Sequence, residues 1–398
     1  MLIKNCTILE NGVETVKDIL VSKGKIQKIY RCSEIEELDI DEIYDAEGLL
    51  VLPGVIDVHT HMRDPGLSHK EDFETGSKAC AKGGVTTFID MPNTVPNTIT
   101  EEILKAKEEN SKDRSYVDYG FHFGGSRSDN SLEIKKVNDR VASTKIFLNM
   151  STGDMLVEEE KTLENLFRES KIVSVHAEEE MVERAIGLAR KFKKPLYLCH
   201  LSKASEVELL RAAKKEGLCV YGEVAPHHLF LNETQVNNLL MMKPELKSVE
   251  DNKALWEGLK DGTIDTIGTD HAPHTLEEKN EKITFGIPGV ENSLELMLKE
   301  VNGKISLEIL QRVMCENPAK IFGIKRKGKI EVGYEADFVM IDLKRKEEIK
   351  NEDVVSKCGW TPYNGMTTGG KVVSTFVRGN LVYNGIEFMN KKGRGVSY

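Results

Sequence analysis

Apolar and polar positions alternate along this chain in two styles. Over residues 1–52 the apolar runs are short and broken by turn residues, as in MLIKNCTILENG and DILVSKGKIQKIY, where Gly24 marks a hairpin-like turn. The chain returns to this style near its end. KGKIEVGYEADFVMIDL is followed by VVSTFVRGNLVYNG, with Arg378-Gly379-Asn380 between two β-rich runs. The pattern predicts that residues 1–52 and 330–398 pair into one small β-sandwich domain built from both termini.

Residues 53–329 read differently. Near-continuous apolar runs recur at VIDVH (55–59), VTTFIDM (85–91), VDYGFHF (117–123), TKIFLN (144–149), IVSVHA (172–177), PLYLCHL (195–201), LCVYGEV (218–224) and TIDTIGT (263–269). Such runs suit parallel strands buried on both faces. Between most of them lie stretches with Leu, Ile, Val or Ala at helical spacing and charge on the other side: EEILKAKEENSKD, EEEKTLENLFRES, EEEMVERAIGLARKF and ASEVELLRAAKKEG. Several open on acidic residues, which suit the positive end of a helix dipole. Eight strand–helix units over roughly 260 residues predict an α/β protein, a (β/α)8 TIM-type barrel. The rival is a doubly wound open sheet, but no G-x-G-x-x-G follows the first strand.

Composition narrows the class. A chain of 398 residues can bury a large core without disulfide staples. Its 55 basic and 65 acidic residues give a net charge of -10, which argues against a nucleic-acid or anionic-membrane surface. Cys6, Cys32, Cys80, Cys199, Cys219, Cys315 and Cys358 are odd in number, scattered, and form no C-x-x-C pair, so they read as reduced thiols. No apolar run approaches the ~18 residues of a membrane span, and MLIKNCTILENG has no apolar leader core. The expected location is the cytoplasm.

The chemistry collects at strand ends. His59 and His61 close the first run, His176 the fifth and His200 the sixth; Asp270, His271 and His274 follow the eighth. In a barrel these ends open on one face, where active sites form. Side chains alternate along a strand, so His59 and His61 point the same way and make half a metal site. Taken alone, H-x-H reads equally as a hydrogen-bonded histidine pair. Lys145 opens the fourth run among apolar residues. Nearby divalent cations and burial would both favour its neutral amine, which can add carbon dioxide and become an anionic two-oxygen bridge. On spacing alone a lysine snorkelling to solvent is the more ordinary reading. Arg63 could grip a carboxylate with two prongs, or form a salt bridge to Asp64 or another rim acid. Cys199 precedes a ligand on its strand and is expected to point to the opposite face and pack. His69 and His122 read as hydrogen-bonded structure. Gly83-Gly84 and Gly124-Gly125 match no phosphate loop.

HTHMRDPGLSHKEDFETGSKA, IDMPNT, KIFLN, VHAE, CHLS and GTDHAPHTLEEK follow one another in this order. The set resembles the amidohydrolase superfamily, and within it the dihydroorotases whose barrel carries a carbamylated lysine. The likeness runs from about Gly48 to Gly333. It implies that His59 and His61 hold one metal, His176 and His200 the other, with carboxylated Lys145 as the bridge and Asp270 on the metal of His59 and His61. Nitrogen and carboxylate ligands suit two Zn²⁺ ions, and a bridged pair ~3.5–4 Å apart acidifies a shared water. The resemblance further implies that Arg63, Asn93 and His274 bind a substrate carboxylate, and that His227 and His228 orient the seventh loop. Lys243 stands where relatives often carry Arg or Asn, so its contact with substrate has a different geometry. The loop NMSTGDML also departs from the animal form, and no lid residue is assigned in it.

The implied activity is reversible cyclisation of N-carbamoyl-L-aspartate to L-dihydroorotate with loss of water, in pyrimidine synthesis, with Asp270 as general acid and base. The alternatives are another cyclic amidase, such as a hydantoinase or allantoinase, or a non-catalytic partner of aspartate transcarbamoylase. Hydantoinases usually lack the arginine at position 63; non-catalytic relatives tend to lose metal ligands, and this chain keeps all six. The implied protein partners are aspartate transcarbamoylase or a second copy of the chain.

Overall fold

Eight parallel strands, named here the first to eighth barrel strands, form the centre of the computed structural model, which describes residues 1–31, 40, 42–151, 154–389 and 393–398. They are Val55–Thr60, Val85–Asp90, Asp118–Phe121 continued by Phe123–Gly124, Thr144–Phe147, Val173–His176, Leu196–Leu198, Val220–Val224 and Thr266–Ile267. The third is interrupted at His122. Its first part pairs with the second strand and its second part with the fourth, so it joins two sheet segments. A parallel bridge from Thr60 to His271, with the His61 N–H donating to the His271 carbonyl at 2.7 Å, closes the ring between the first strand and the segment after the eighth. The barrel is therefore the predicted one. Its last strand is shorter than the apolar run suggested, because the Asp265 carboxylate before it accepts from Lys214 and from the Gly222 N–H.

Helices Phe73–Lys82, Glu101–Ser111, Ser131–Val137, Glu160–Glu169, Glu180–Phe192, Ala204–Lys215, Val249–Asp261 and Ser293–Lys299 follow the eight strands in turn. Three of their starts are capped by a local side chain, at Asp72, Thr100 and Ser248. Asp72 accepts from the Glu74 and Thr75 N–H groups at 2.9 Å, and Ser248 accepts from Asp251 N–H. Their apolar sides meet the outer faces of the strands in one core that includes Phe88, Leu166, Val175, Leu210 and Leu259. Inside the barrel, Ile56, Val58, Ile89 and Tyr197 pack on Phe322 of the helix Asn317–Phe322, which plugs the bottom.

The two ends of the chain meet in one mixed sheet of eight strands. Its path runs Asn380–Tyr383, Lys371–Val377, Phe338–Asp342, Leu50–Pro53, Leu2–Glu10, Val13–Ser22, Lys25–Arg31, with Ile43–Asp45 beside Leu2–Glu10. Two-residue turns at Lys23-Gly24 and Arg378-Gly379 have positive φ at both positions. That geometry matches strand twist and favours glycine second. Cys32 and part of the loop NMSTGDML (residues 152 and 153) lie outside the described residues. No helix among the described residues is long and apolar enough to cross a membrane.

Candidate metal centre and active-site cleft

The C-terminal ends of the barrel strands surround a cleft with about 380 Å³ of empty space. His59, His61, Arg63, Asn93, Lys145, His176, His200, Lys243 and Asp270 all line it, together with Phe147, Ser151, Ala272, Phe285 and Gly286. The Nε2 atoms of His59 and His61 converge on Asp270 Oδ1, at 3.3 and 3.0 Å. His176 Nδ1 faces His200 Nε2 at 2.9 Å. The His59 and His200 rings are 5.2 Å apart, so the two groups adjoin.

Strand ends aim these groups by sharp turns. Arg63, His200 and Asp270 have φ of +60°, +36° and +46°. Left-handed backbone at non-glycine residues costs about 1–3 kcal/mol and gathers at functional sites. The turn at His200 also corrects one expectation. Cys199 does not point away from the centre: Lys145 Nζ lies 2.9 Å from its sulfur. Strict alternation holds only for extended backbone, and the left-handed residue that follows breaks it.

Crowding shows in the titration of these groups. Burial pushes the His59 imidazole down, but the carboxylates of Glu223 and Asp270 outweigh it and lift the group to about 10. Burial holds His61 down at about 4 against the pull of Asp270. Burial, then His176 and Lys145, push His200 well below the usual range. Burial would raise Asp270, yet His59 and His61 drive it well below the carboxylate range. His200 Nδ1 is buried with no hydrogen-bond partner among the described residues. Facing imidazole lone pairs repel unless a proton or cation lies between them. Four buried histidines and a carboxylate, grouped two and three, are a donor set that fits a pair of divalent transition-metal ions.

Arg63 is 2% exposed. Its Nε donates to the Pro273 carbonyl at 3.1 Å, while Nη2 has no hydrogen-bond partner among the described residues. The salt bridge to Asp64 does not form: Asp64 is taken by Arg114 at 2.8 Å and by the Asn110 amide at 2.9 Å. A buried guanidinium with an open N–H on a cleft wall suits an anionic ligand. Lys243 reaches the wall too, tied to Glu245 at 2.6 Å and 5.2 Å above the Phe285 ring. His274 is not brought to the cleft surface. Its Nε2 meets the Phe285 carbonyl at 3.2 Å and its Nδ1 lies near Lys70 and Glu278. It therefore braces the wall formed by Phe285 and Gly286.

His122 is hydrogen-bonded structure as expected, donating to the Val58 carbonyl at 2.9 Å and accepting from Ser143 at 2.8 Å. His228 donates to the Pro244 carbonyl in the seventh loop at 3.1 Å, whereas His227 is buried with no hydrogen-bond partner among the described residues. Sequence reasoning missed Glu223, which touches His59 at 2.6 Å. The available signal was a carboxylate in the apolar run LCVYGEV.

A model of the amidohydrolase family matches residues 50–382. The chain belongs to the amidohydrolase family. This is a family of metal-dependent hydrolases, and the chain is a hydrolase of the cyclic-amide-cleaving kind. Among curated amidohydrolases it is similar to the dihydroorotase of Methanosphaera stadtmanae, 36% identical over 96% of both chains. It is also similar to the dihydroorotase of Pyrococcus furiosus, 38% identical over 93% of this chain and 90% of that one. Among solved structures it is similar to the L-hydantoinase (dihydropyrimidinase) from Arthrobacter aurescens. The TM-score is 0.95 at 31% identity, over 100% of this chain and 99% of that one.

Proposed function

We propose that this amidohydrolase is a dihydroorotase, closing N-carbamoyl-L-aspartate reversibly to L-dihydroorotate with loss of water. The observation that carries the reading is Arg63, buried at the cleft wall with one guanidinium nitrogen open to an anion. The carboxylate beside the ring of dihydroorotate supplies that anion; hydantoin and allantoin carry none. The names of the curated relatives support the same substrate.

His59, His61 and Asp270 would hold one metal and His176 and His200 the other, with Zn²⁺ the ion that the donor set suits best. Lys145, buried in the cleft wall with Nζ 2.9 Å from Cys199 Sγ, would add carbon dioxide at its neutral amine, lose a proton, and offer the resulting carbamate as a bridge. When bound, the metals polarise the ring carbonyl and acidify a water at neutral pH. Arg63 binds the exocyclic carboxylate, and Asn93, from past the second strand, adds a donor. Asp270 takes the proton of the attacking water and passes it to the leaving ring nitrogen. In the closing direction it accepts the ureido proton, because the reverse route uses the same states.

Dihydroorotate hydrolysis at alkaline pH, with and without a chelator, tests the proposal beside hydantoin and allantoin. The expected result is chelator-sensitive turnover of dihydroorotate at least ~100-fold above the other two, the difference a site built around a substrate group makes when that group is missing. The TM-score of 0.95 to an L-hydantoinase favours the second reading, a hydantoinase; faster hydantoin turnover would establish it. The assembled ligand groups speak against a non-catalytic role. Free Cys6, Cys80, Cys199, Cys219, Cys315 and Cys358 support a reducing, cytoplasmic location. Aspartate transcarbamoylase or a second copy of the chain is the protein partner this reading carries. Light scattering of the chain, alone and mixed with that enzyme, tests both.

A further inference from the structure

We propose that Glu223 is the positioning residue that holds both halves of the metal centre in register. The inference rests on the reading above, in which His59 and His200 serve neighbouring metals. Glu223 lies on the seventh barrel strand and is fully buried. Its Oε1 accepts from His59 Nδ1 at 2.6 Å and from the main-chain N–H of His200 at 2.9 Å. Its Oε2 accepts from the Tyr197 hydroxyl at 2.8 Å, and that hydroxyl lies 2.6 Å from Thr266 Oγ1. The main-chain carbonyl of Glu223 accepts from Leu201 N–H at 2.8 Å.

Each contact has a consequence. A hydrogen on His59 Nδ1, given to Glu223, leaves the Nε2 lone pair facing the cleft. A carboxylate behind a ligand imidazole fixes its tautomer and raises its basicity. The bonds to His200 N–H and Leu201 N–H grip both sides of the left-handed turn at His200, which aims that imidazole at His176. The side chain thus sets the ring of the first group and, with its own main-chain carbonyl, the backbone of the second. A buried carboxylate is costly unless its charge is answered. Among the described residues no lysine or arginine forms an ion pair with Glu223; its carboxylate is answered by the hydrogen bonds from His59 Nδ1, the His200 N–H and the Tyr197 hydroxyl. The space for it is made by Gly268, where a Cβ would lie 2.2 Å from Glu223 Oε2.

The test compares wild type, Glu223→Gln and Tyr197→Phe. Each protein is stripped by a chelator and retitrated with Zn²⁺ against a chromophoric competitor; the thermal midpoint of the metal-free form and the visible spectrum of the Co²⁺ form are also measured. Expected for Glu223→Gln are a metal-free midpoint within a few degrees of wild type, Zn²⁺ affinity lowered ~10–100-fold for both ions, and altered Co²⁺ bands. Tyr197→Phe touches only Oε2 and should weaken binding less. The proposal is overturned if Glu223→Gln binds both ions within twofold of wild type, if only one ion is weakened, or if affinity falls only because the metal-free variant no longer folds. Wild type that takes up no metal would instead sink the metal-centre reading itself.

Discussion

In the proposed function Asp270 has two jobs, holding a cation and moving a proton, and the amide of Asn can do only the first. Asp270→Asn should therefore lower kcat by ~10²–10⁴-fold, the range for a lost general base, while KM for dihydroorotate changes little. Steady-state kinetics decide it, and near-normal turnover would refute the role. In the same reading Arg63 is a separable case, because it would bind substrate and not react. Arg63→Lys keeps the charge but loses the fork. It should weaken dihydroorotate binding by about 1.5–3 kcal/mol, the worth of a charge-assisted hydrogen bond, seen as a raised KM with hydantoin turnover unaltered. Lys145→Ala would remove the proposed bridge and should cost bound metal at one or both sites, read as metal per chain; full metal content would make Lys145 a bystander. Asp270 and Arg63 were legible as candidates because polar side chains just past apolar runs have few structural uses; Lys145 was singled out as a bridge only through the family resemblance. The direction of Cys199 was misjudged because it depends on the turn at His200, which spacing does not encode. The place of His274 behind the Phe285 carbonyl was likewise not legible.

At the scale of elements, the strands were legible and several helices were not. Parallel strands buried on both faces leave continuous apolar runs, so the chain displayed each of them. Phe73–Lys82 carries Glu-Thr-Gly-Ser through its first turns, and no wide apolar stripe announces it. What the strands leave unsaid is how tightly their ends are fitted. Gly268 follows the eighth strand, and a Cβ there would meet Glu223 Oε2 at 2.2 Å, Glu223 Cδ at 2.5 Å and His59 Cβ at 3.0 Å. Neither neighbour can retreat, since Glu223 is held by His59, Tyr197 and the His200 N–H. Gly268→Ala should destabilise the fold by ~1–3 kcal/mol, the usual cost of overpacking, and lower metal content with it. Urea unfolding and metal analysis of the same sample test this. A variant with unchanged midpoint and full metal would mean that the strand end yields more than its contacts suggest.

The whole molecule depends on joining the barrel to the sheet made from its two ends, and a buried ionic network does part of that work. Lys327 Nζ meets Asp118 at 2.7 Å and Glu335 at 2.9 Å, and also contacts Asp337. Asp118 opens the third barrel strand and is bonded in addition by Arg378, from the Arg378-Gly379 turn of the sheet. None of this was legible in sequence, because isolated charges beside turns read as solvated. Burial would raise the Asp118 carboxyl, but Lys327 and Arg378 outweigh it and hold it below its ordinary value. A carboxylate depressed in the folded state binds its proton more readily when unfolded. Its contribution is therefore present above the ordinary value near pH ~4 and is lost as pH falls through the lower folded value. Asp337 is shifted the other way by burial, so the pH profile of the wild type alone would blur the two. Asp118→Asn isolates one of them, since the amide is neutral at every pH and resembles the protonated acid. The variant should be less stable by about 3–5 kcal/mol at pH 7, as when one partner leaves a buried ion pair. The gap should narrow as pH is lowered toward 3. Urea midpoints of the metal-free proteins at both pH values measure it without interference from metal loss. A gap that stays constant with pH would mean that Asp118 stabilises by shape and hydrogen bonding alone, and that its charge does not hold the sheet to the barrel.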